Sequence, residues 1–188
     1  MHKLESHIRR VISVKENELE DMVHSFQPIT VEKNGHLIKA GQYCENYYFV
    51  ENGSLRIYTE TNGKEFTSWF AFEGYFFTEL ESYTYQCQSK YNIQAIENTT
   101  ILYVSRKNMN ALLEKYPAWG ELLRKTWEMA FLKLSQVVLS FQSLTAKERY
   151  EHSFENPEFI QKTKQKDLAS MLGITETTLS RLSNPDRE

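Results

Sequence analysis

The spacing of apolar residues changes from a strand period to a helical period near residue 105, and this change limits the folds open to the chain. Before it, three stretches rich in Tyr, Phe, Ile and Val alternate apolar and polar residues as half-buried strands do: HLIKAGQY, NYYFVENGSLRIYTETNGKEFTSWFAFEG and YNIQAIENTTILYVSR. Asn62-Gly63 predicts a hairpin, because both central residues of a type I′ turn need positive φ. Asn52-Gly53 indicates a second turn. Such short, closely spaced strands predict an antiparallel roll or sandwich over residues 26–105.

A long helix with an apolar stripe is predicted from Pro117, whose fixed φ suits a first helical turn. Seven apolar residues follow at steps of 4, 3, 4, 3, 4 and 3: Leu123, Trp127, Ala130, Leu134, Val137, Phe141 and Leu144. This a/d spacing keeps one helix face against a partner helix, so the first six residues predict a homodimer interface. Phe131, Leu132 and Val138 widen the apolar surface. The helix is therefore expected to pack on its own domain as well.

The segment KQKDLASMLGITETTLSRLSN, residues 164–184, has the spacing of a helix-turn-helix. Numbered from Gln165, apolar residues fall at positions 4, 8, 10, 15 and 18: Leu168, Leu172, Ile174, Leu179 and Leu182. Ala169 allows the two helices to approach closely, and Gly173 can adopt the positive φ that ends the first helix. Thr175 can cap the second helix, whose positive end favours Glu176. The alternative is an amphipathic helix pair that docks on a partner protein.

The exposed positions of that second helix are predicted to enter the DNA major groove: Thr175, Glu176, Thr177, Ser180 and Arg181. Arg181 can donate two hydrogen bonds to guanine, and Glu176 can accept one from cytosine N4. Phosphate contacts are predicted for Lys162, Lys164 and Lys166. Residues 160–182 carry four basic and two acidic side chains, a surplus of +2, whereas the whole chain carries −3. Such a small surplus makes DNA binding depend on dimerisation.

A glycine-punctuated β-roll, a long dimer helix and a helix-turn-helix together resemble the Crp/Fnr family of bacterial transcription regulators. The stretch IKAGQYCENYYFVENGSLRIY resembles the family's opening strands, with Gly41 and Gly53 at its turn glycines. The resemblance extends over essentially the whole chain. It implies a cyclic-nucleotide-binding-type roll followed by a domain that binds promoter DNA as a homodimer, with RNA polymerase as a further partner.

The same resemblance implies a ligand cassette, in which the Glu of a Gly-Glu-Leu element binds a ribose 2′-hydroxyl. An Arg ten residues later binds the cyclic phosphate. In this chain Glu79 and Leu80 match that element, but Thr78 replaces the glycine. Ser89 stands where the Arg would be, and Lys90, the next residue, would point to the other face of a strand. Because burying a phosphate without a paired cation is costly, cyclic AMP is not the expected ligand.

Three alternatives therefore remain open for the roll. A different small effector would bind near Glu79, Leu80, Ser89 and Lys90. A roll without a ligand would be filled by its own aromatic side chains: Phe70, Phe72, Phe76, Phe77, Tyr83 and Tyr85. A regulator without any effector would be controlled by its own abundance. An iron–sulfur sensor is not expected, since the amino-terminal cysteine set of such family members is absent.

Enzyme and membrane functions are not expected. A cupin-like enzyme on a similar roll would need several inward His and carboxylate ligands, and His36 is the one histidine of the strand region. Cys44 and Cys87 have no CxxC spacing, so we predict free thiols and no metal site or cofactor. The amino terminus is charged throughout, and no apolar run approaches the roughly 18 residues that span a bilayer. A cytoplasmic protein without a membrane partner is predicted.

We thus predict an α+β chain with three parts. Residues 1–116 form an antiparallel β-roll (a double-stranded β-helix) with flanking helices, residues 117–144 the dimerisation helix, and residues 145–188 the helix-turn-helix domain. Family members usually continue into a small β-hairpin wing after the recognition helix. Here Asn184-Pro185 is predicted to end that helix soon after its last apolar contact, so either the wing is dispensed with or the chain has been shortened.

Overall fold

The computed structural model describes residues 2–183. The helices are α1 (His2–Val11), α2 (Glu16–His24), α3 (Leu80–Tyr85), α4 (Arg106–Lys115), α5 (Pro117–Ser143), α6 (Ala146–His152), α7 (Pro157–Lys162), α8 (Gln165–Leu172) and α9 (Glu176–Ser183). The strands are β1 (Gln27–Val31), β2 (His36–Ile38), β3 (Asn46–Asn52), β4 (Ser54–Thr61), β5 (Lys64–Phe72), β6 (Phe76–Phe77), β7 (Asn92–Ala95) and β8 (Thr99–Ser105). The predicted end of the last helix at Asn184-Pro185, and with it the wing prediction, lies outside the described residues.

The strands form two four-stranded antiparallel sheets with the orders β1-β8-β3-β6 and β2-β7-β4-β5. The predicted antiparallel roll is therefore confirmed, and so is the α+β class. At the predicted hairpin, Asn62 and Gly63 have φ values of 53° and 70°, as a type I′ turn requires. Gly53 also has a positive φ, 95°, and a Cβ there would lie 2.6 Å from Thr99 Oγ1. A side chain at this second turn would thus collide with β8.

One apolar core lies between the sheets and under the flanking helices. Leu4 and Ile8 of α1 are fully buried in it, and so is Trp119 at the start of α5. The Trp119 ring meets Phe26 edge-on, and its Nε1–H donates to Met109 Sδ at 3.0 Å. The first turns of the long helix are therefore part of the roll's own core.

The six aromatic residues assigned to the roll interior do not all lie there. Phe76, Phe77 and Tyr83 belong to the core, but Phe70 and Phe72 are buried against Phe159 of α7. Tyr85, the sixth, is 77% exposed. The idea of a roll filled by all six was wrong. Successive residues of a strand face opposite sides, so Ala71, between the two β5 phenylalanines, is the residue that faces the core.

A second, smaller core holds the carboxyl-terminal helices together. It consists of Tyr150, Leu168, Ala169, Leu172 and Leu179, with Phe159, Met171, Ile174 and Leu182 packed around it. Thr145 caps α6 through a capping box with Glu148, as the helix predicted from Thr145 requires. Asn156 ends this helical stretch but also caps α7, with Pro157 at its first position. The short helix α7 was not anticipated.

Candidate DNA-binding surface and effector cavity

The turn between α8 and α9 is built on Gly173. Its φ is +68°, and its N–H donates to Ser170 O at 3.2 Å. The next N–H, that of Ile174, donates to Ala169 O at 3.0 Å. These two bonds form a Schellman motif, which satisfies the last carbonyls of α8 and reverses the chain sharply. The predicted helix–turn–helix geometry is thus present.

One face of α9 packs into the small core, and the other face is exposed to solvent. Leu179 is 1% exposed and packs into the small core, while Thr175 Oγ1 accepts from the Thr178 N–H at 3.1 Å and caps the helix. The five predicted base-reading side chains all belong to exposed residues: Thr175, Glu176, Thr177, Ser180 and Arg181. All five predicted residues are therefore accessible to solvent.

The predicted phosphate-binding lysines fall into two groups. Lys164 and Lys166 are exposed at the start of α8. Lys162 instead lies 3.4 Å from Glu97 Oε1 of the roll and 3.1 Å from Glu158 Oε1. The Lys162 ammonium group is thus paired with two carboxylates of this protein. The basic surface of the helix-turn-helix depends mainly on Lys164, Lys166 and Arg181.

Arg149 is a structural residue that the sequence analysis missed. Its Nη1 donates to Leu144 O at 2.7 Å, and its Nε donates to Leu172 O at 3.1 Å. Its guanidinium also lies 4.9 Å from the centre of the Phe141 ring. One side chain therefore ties the end of α5 to the end of α8. An arginine on a short polar helix has no spacing that would have identified this role.

The predicted dimer residues along α5 differ in how far they are exposed. Leu123 and Trp127 are partly buried and pack on the roll core, while Ala130 and Val137 are half-buried. Leu134 and Phe141 are exposed. The largest exposed apolar stripe, here called the seam, consists of Phe131, Leu134, Val138 and Phe141, at 69%, 59%, 49% and 46% exposure. Steps of three and four place these four side chains on one face of the helix.

A cavity of about 480 Å³ opens between β4, β7 and α3. Its walls are formed by Ile57, Phe77, Thr78, Glu79, Leu80, Glu81, Thr84, Tyr85, Tyr91 and Ile93. Glu79 and Leu80, predicted for the effector site, are among them, but Ser89 and Lys90 are not. Among the described residues that form the walls, none is basic, so the cavity offers no cation to a phosphate.

The cassette residues are bonded to the protein itself. The Glu79 carboxylate accepts from the Glu81 N–H at 3.2 Å and the Ser82 N–H at 3.0 Å, and so caps α3. Lys90 Nζ lies 2.6 Å from Glu81 Oε1, which raises the pKa of the lysine. Ser89 is buried, and its hydroxyl exchanges hydrogen bonds with the backbone of Tyr91. A ligand would meet a carboxylate already engaged by two amides.

His36 bonds to the hydroxyl of Tyr58, at 3.2 Å from Nε2. Within residues 2–183, the structure gathers no three His, Cys, Asp or Glu side chains that could hold a metal ion. In the same range, no helix is long and apolar enough to cross a membrane. Both cysteines are free thiols, Cys44 buried and Cys87 partly exposed.

The first comparison with known proteins concerns the roll. Residues 28–116 match the family model described as "Cyclic nucleotide-binding domain". The match covers most of the roll, whose cavity walls carry no basic side chain among the described residues. A search of curated protein sequences finds no match.

Solved structures match the chain far beyond this domain. The Thermus thermophilus catabolite activator protein is 21% identical, with 92% of this chain and 84% of that chain covered, at a TM-score of 0.58. The c-di-GMP responsive global regulator CLP of Xanthomonas campestris is 12% identical, with 91% of each chain covered, at 0.70. A protein from Eubacterium rectale assigned to the crp/fnr transcriptional regulators is 14% identical, with 90% and 82% covered, at 0.67. The predicted resemblance to Crp/Fnr regulators is confirmed at the level of the fold.

Proposed function

We propose that this chain is a sequence-specific DNA-binding transcription regulator that acts as a homodimer. The observation that carries the proposal is the exposed face of α9, held on a turn at Gly173 that is built as helix-turn-helix proteins require. Similar solved structures with transcription-regulator names support the same class.

The seam on α5 supports the homodimer. Phe131, Leu134, Val138 and Phe141 form an exposed apolar stripe on the lower half of a 27-residue helix. A stripe of this spacing is stable in water when a second helix covers it. Pairing of two copies along α5 would place two recognition helices about 34 Å apart, one DNA turn, over a pseudo-palindromic site.

The cavity supports an effector other than a cyclic nucleotide. Its walls combine apolar and aromatic side chains with the carboxylates of Glu79 and Glu81. Lys90 already pairs with Glu81, so an anionic phosphate would meet no free cation in these walls and would lie beside the Glu79 carboxylate, which is unfavourable. A neutral or cationic small molecule fits the same walls without that cost. Cyclic AMP is therefore expected to leave DNA affinity unchanged.

The test is to select bound fragments of the organism's own genome with purified protein and to measure their affinity. Arg181→Ala should weaken binding by about 10- to 100-fold and relax the preference at one base pair, since Arg181 is expected to read guanine. Arg9→Ala, which removes an exposed arginine of α1 paired with Glu16, serves as the matched control. Unchanged binding by folded Arg181→Ala would remove Arg181 from the interface. A purified protein that ignores every duplex at low salt would contradict the proposed function.

A further inference from the structure

The inner end of the effector cavity is apolar. Its wall there includes Ile93 of β7, 1% exposed, and Phe77 of β6, 6% exposed. Ile57 of β4 lies directly opposite Ile93 in the antiparallel pair of β4 and β7. Side chains at such a cross-strand pair are close neighbours on one face of the sheet. A molecule that fills the cavity must therefore present an apolar body to this end.

The outer end of the cavity combines a carboxylate with aromatic rings. Glu81 and Tyr85 are four residues apart on α3, so their side chains lie on the same face of that helix. Both belong to the cavity wall and both reach solvent, the Glu81 side chain at 43% and Tyr85 at 77% exposure. Tyr91, half-buried just before β7, adds a second phenol to the wall. Negative charge beside ring faces is the arrangement that attracts organic ammonium groups.

The two carboxylates of the wall are not equally available. Glu79 is 7% exposed, and its oxygens accept the Glu81 and Ser82 amides at the start of α3. Glu81 instead pairs with Lys90, which is 69% exposed and lies outside the wall. Exposed ion pairs contribute little to stability, so Lys90 can be exchanged for another cation at small cost. Glu81 is thus the carboxylate that a ligand can reach.

The charges around the cavity do not balance. Two carboxylates, Glu79 and Glu81, are matched by the single ammonium of Lys90, because no ion pair between described residues involves Glu79. A ligand that fills the cavity also displaces water from this wall. A carboxylate that loses water without a paired cation is unfavourable. A positively charged ligand removes that cost, a neutral one leaves it, and an anion adds repulsion.

We propose that the cavity binds an amphiphilic organic cation, an amine with an apolar or aromatic body, whose ammonium group takes the place of Lys90 between Glu81 and the Tyr85 ring. The inference names the chemical class of the effector and so rests on the proposed function. The volume of about 480 Å³ falls in the range of about 300–1000 Å³ that is typical of small-molecule sites. The apolar body lies on Ile57, Phe77 and Ile93.

Three probes of similar size test the sign of the ligand charge. Phenethylamine is protonated at neutral pH, phenethyl alcohol is neutral and hydrocinnamate is an anion, and all three carry one phenyl ring. Binding to the DNA-free protein is followed by NMR shifts of the Thr84 and Tyr91 amides, both in the cavity wall. We expect phenethylamine to bind about 10-fold more tightly than the alcohol, and hydrocinnamate to bind most weakly. Equal affinities, a reversed order or no shift with any probe would overturn the proposal.

The exchange with Lys90 predicts opposite effects for the two members of one ion pair. Glu81→Gln should lower phenethylamine affinity to that of the alcohol and leave the alcohol unaffected. Lys90→Gln removes the competing cation and should raise phenethylamine affinity by about 2- to 5-fold. Glu73→Gln and Lys3→Gln break a similar exposed pair outside the cavity wall and should change neither affinity. Weaker amine binding in both Glu81→Gln and Lys90→Gln would show that the pair acts structurally, and would overturn the exchange.

Tyr85→Leu tests the position of the ammonium group. It keeps an apolar side chain but removes the ring, so phenethylamine affinity should fall by about 2- to 5-fold while alcohol affinity stays unchanged. Equal losses for both probes would overturn the placement of the ammonium on this ring.

Operator binding separates this inference from the proposed function. Phenethylamine should shift the operator affinity of wild type and leave that of Glu81→Gln unchanged. A protein that binds the amine but ignores every duplex contradicts the proposed function and keeps the ligand class. A protein that binds its operator, but whose cavity does not distinguish the amine from the alcohol, overturns this inference alone.

Discussion

A Cβ built on Gly173 would lie 2.6 Å from Cε1 of the Phe141 ring. Phe141 is near the end of the long helix, and Gly173 is the turn between the two DNA-binding helices. The carboxyl-terminal part of the proposed dimer helix thus rests directly on the turn that orients α9. Arg149, stacked on the same ring, bonds to the carbonyls on both sides of this contact. The orientation of α9 relative to the end of α5 therefore depends on these few contacts.

Gly173→Ala should destabilise the helix-turn-helix. Alanine at a φ of +68° costs about 1–2 kcal/mol, and its methyl group also forces the Phe141 ring to move. Thermal unfolding would show the loss, and affinity for the operator should fall with it.

Gly173→Asn separates the two causes, because asparagine tolerates positive φ but still carries a Cβ. A loss as large as that of alanine would assign the effect to the Phe141 contact. A near-normal protein would assign it to the backbone. Wild-type stability in both variants would contradict the role of this turn.

Leu134→Lys should convert the proposed homodimer to a monomer. Leu134 is 59% exposed in one copy and lies in the middle of the seam, where a partner would bury it. A buried lysine without a partner charge should cost at least about 2 kcal/mol of association energy. Sedimentation or light scattering measures the result, and operator affinity should fall in parallel.

Gln136→Lys is the matched control for the seam. Gln136 is exposed on α5 two residues away, which places it on the opposite face of the helix from Leu134. The same charge added there should leave the dimer intact. Equal disruption by both substitutions would show that added charge, rather than the seam, decides association.

Neutralising Lys164 and Lys166 should reduce the salt dependence of DNA binding. Each phosphate contact contributes a slope of about 0.9 to the plot of log affinity against log salt. The double variant Lys164→Gln/Lys166→Gln should therefore lower the slope by about 2 per chain, with similar weakening on all sequences. Affinity measured between low and moderate salt gives the slope. An unchanged slope would place the two lysines away from the phosphates.

His7 should make the fold sensitive to mild acid. Burial, and secondarily the neighbouring charge of Arg10, lowers the pKa of His7 from its ordinary value of 6.5 to about 4. Between these values the unfolded chain binds a proton that the folded chain does not. Stability therefore falls as the pH drops from 6.5 toward 4, by up to about 3 kcal/mol.

His7→Phe removes this proton while keeping an aromatic ring beside Phe49 and Phe76. The variant should lose less stability than wild type between pH 6.5 and 4, as chemical denaturation at several pH values would measure. Because all other titratable groups are the same in the two proteins, the difference between their stability losses isolates His7. Parallel curves would show that folding does not lower the pKa of His7.

The local structure of this chain was largely determined by its sequence. The period-two strands, the type I′ turn at Asn62-Gly63, the helix from Pro117 and the reversal at Gly173 all appear where the pattern predicts them. These features depend on backbone φ preferences and on which face of an element is apolar. Both properties are set by neighbouring residues, so a linear pattern contains them. The exposure of the α9 side chains followed in the same way.

The tertiary structure alone decided which partners the remaining side chains have. Leu123 and Trp127 have the same spacing as Leu134, yet they pack on the roll because α4 and α5 bring them over its core. Phe70 and Phe72 face α7, and Arg56 meets Asp167, across more than 80 residues of chain. The spacing of apolar residues predicts that a side chain will be buried, but it does not predict which residues that side chain will pack against. The packing partners depend on how the two domains dock. Contacts between residues so distant in the chain produce no periodic pattern in the local sequence.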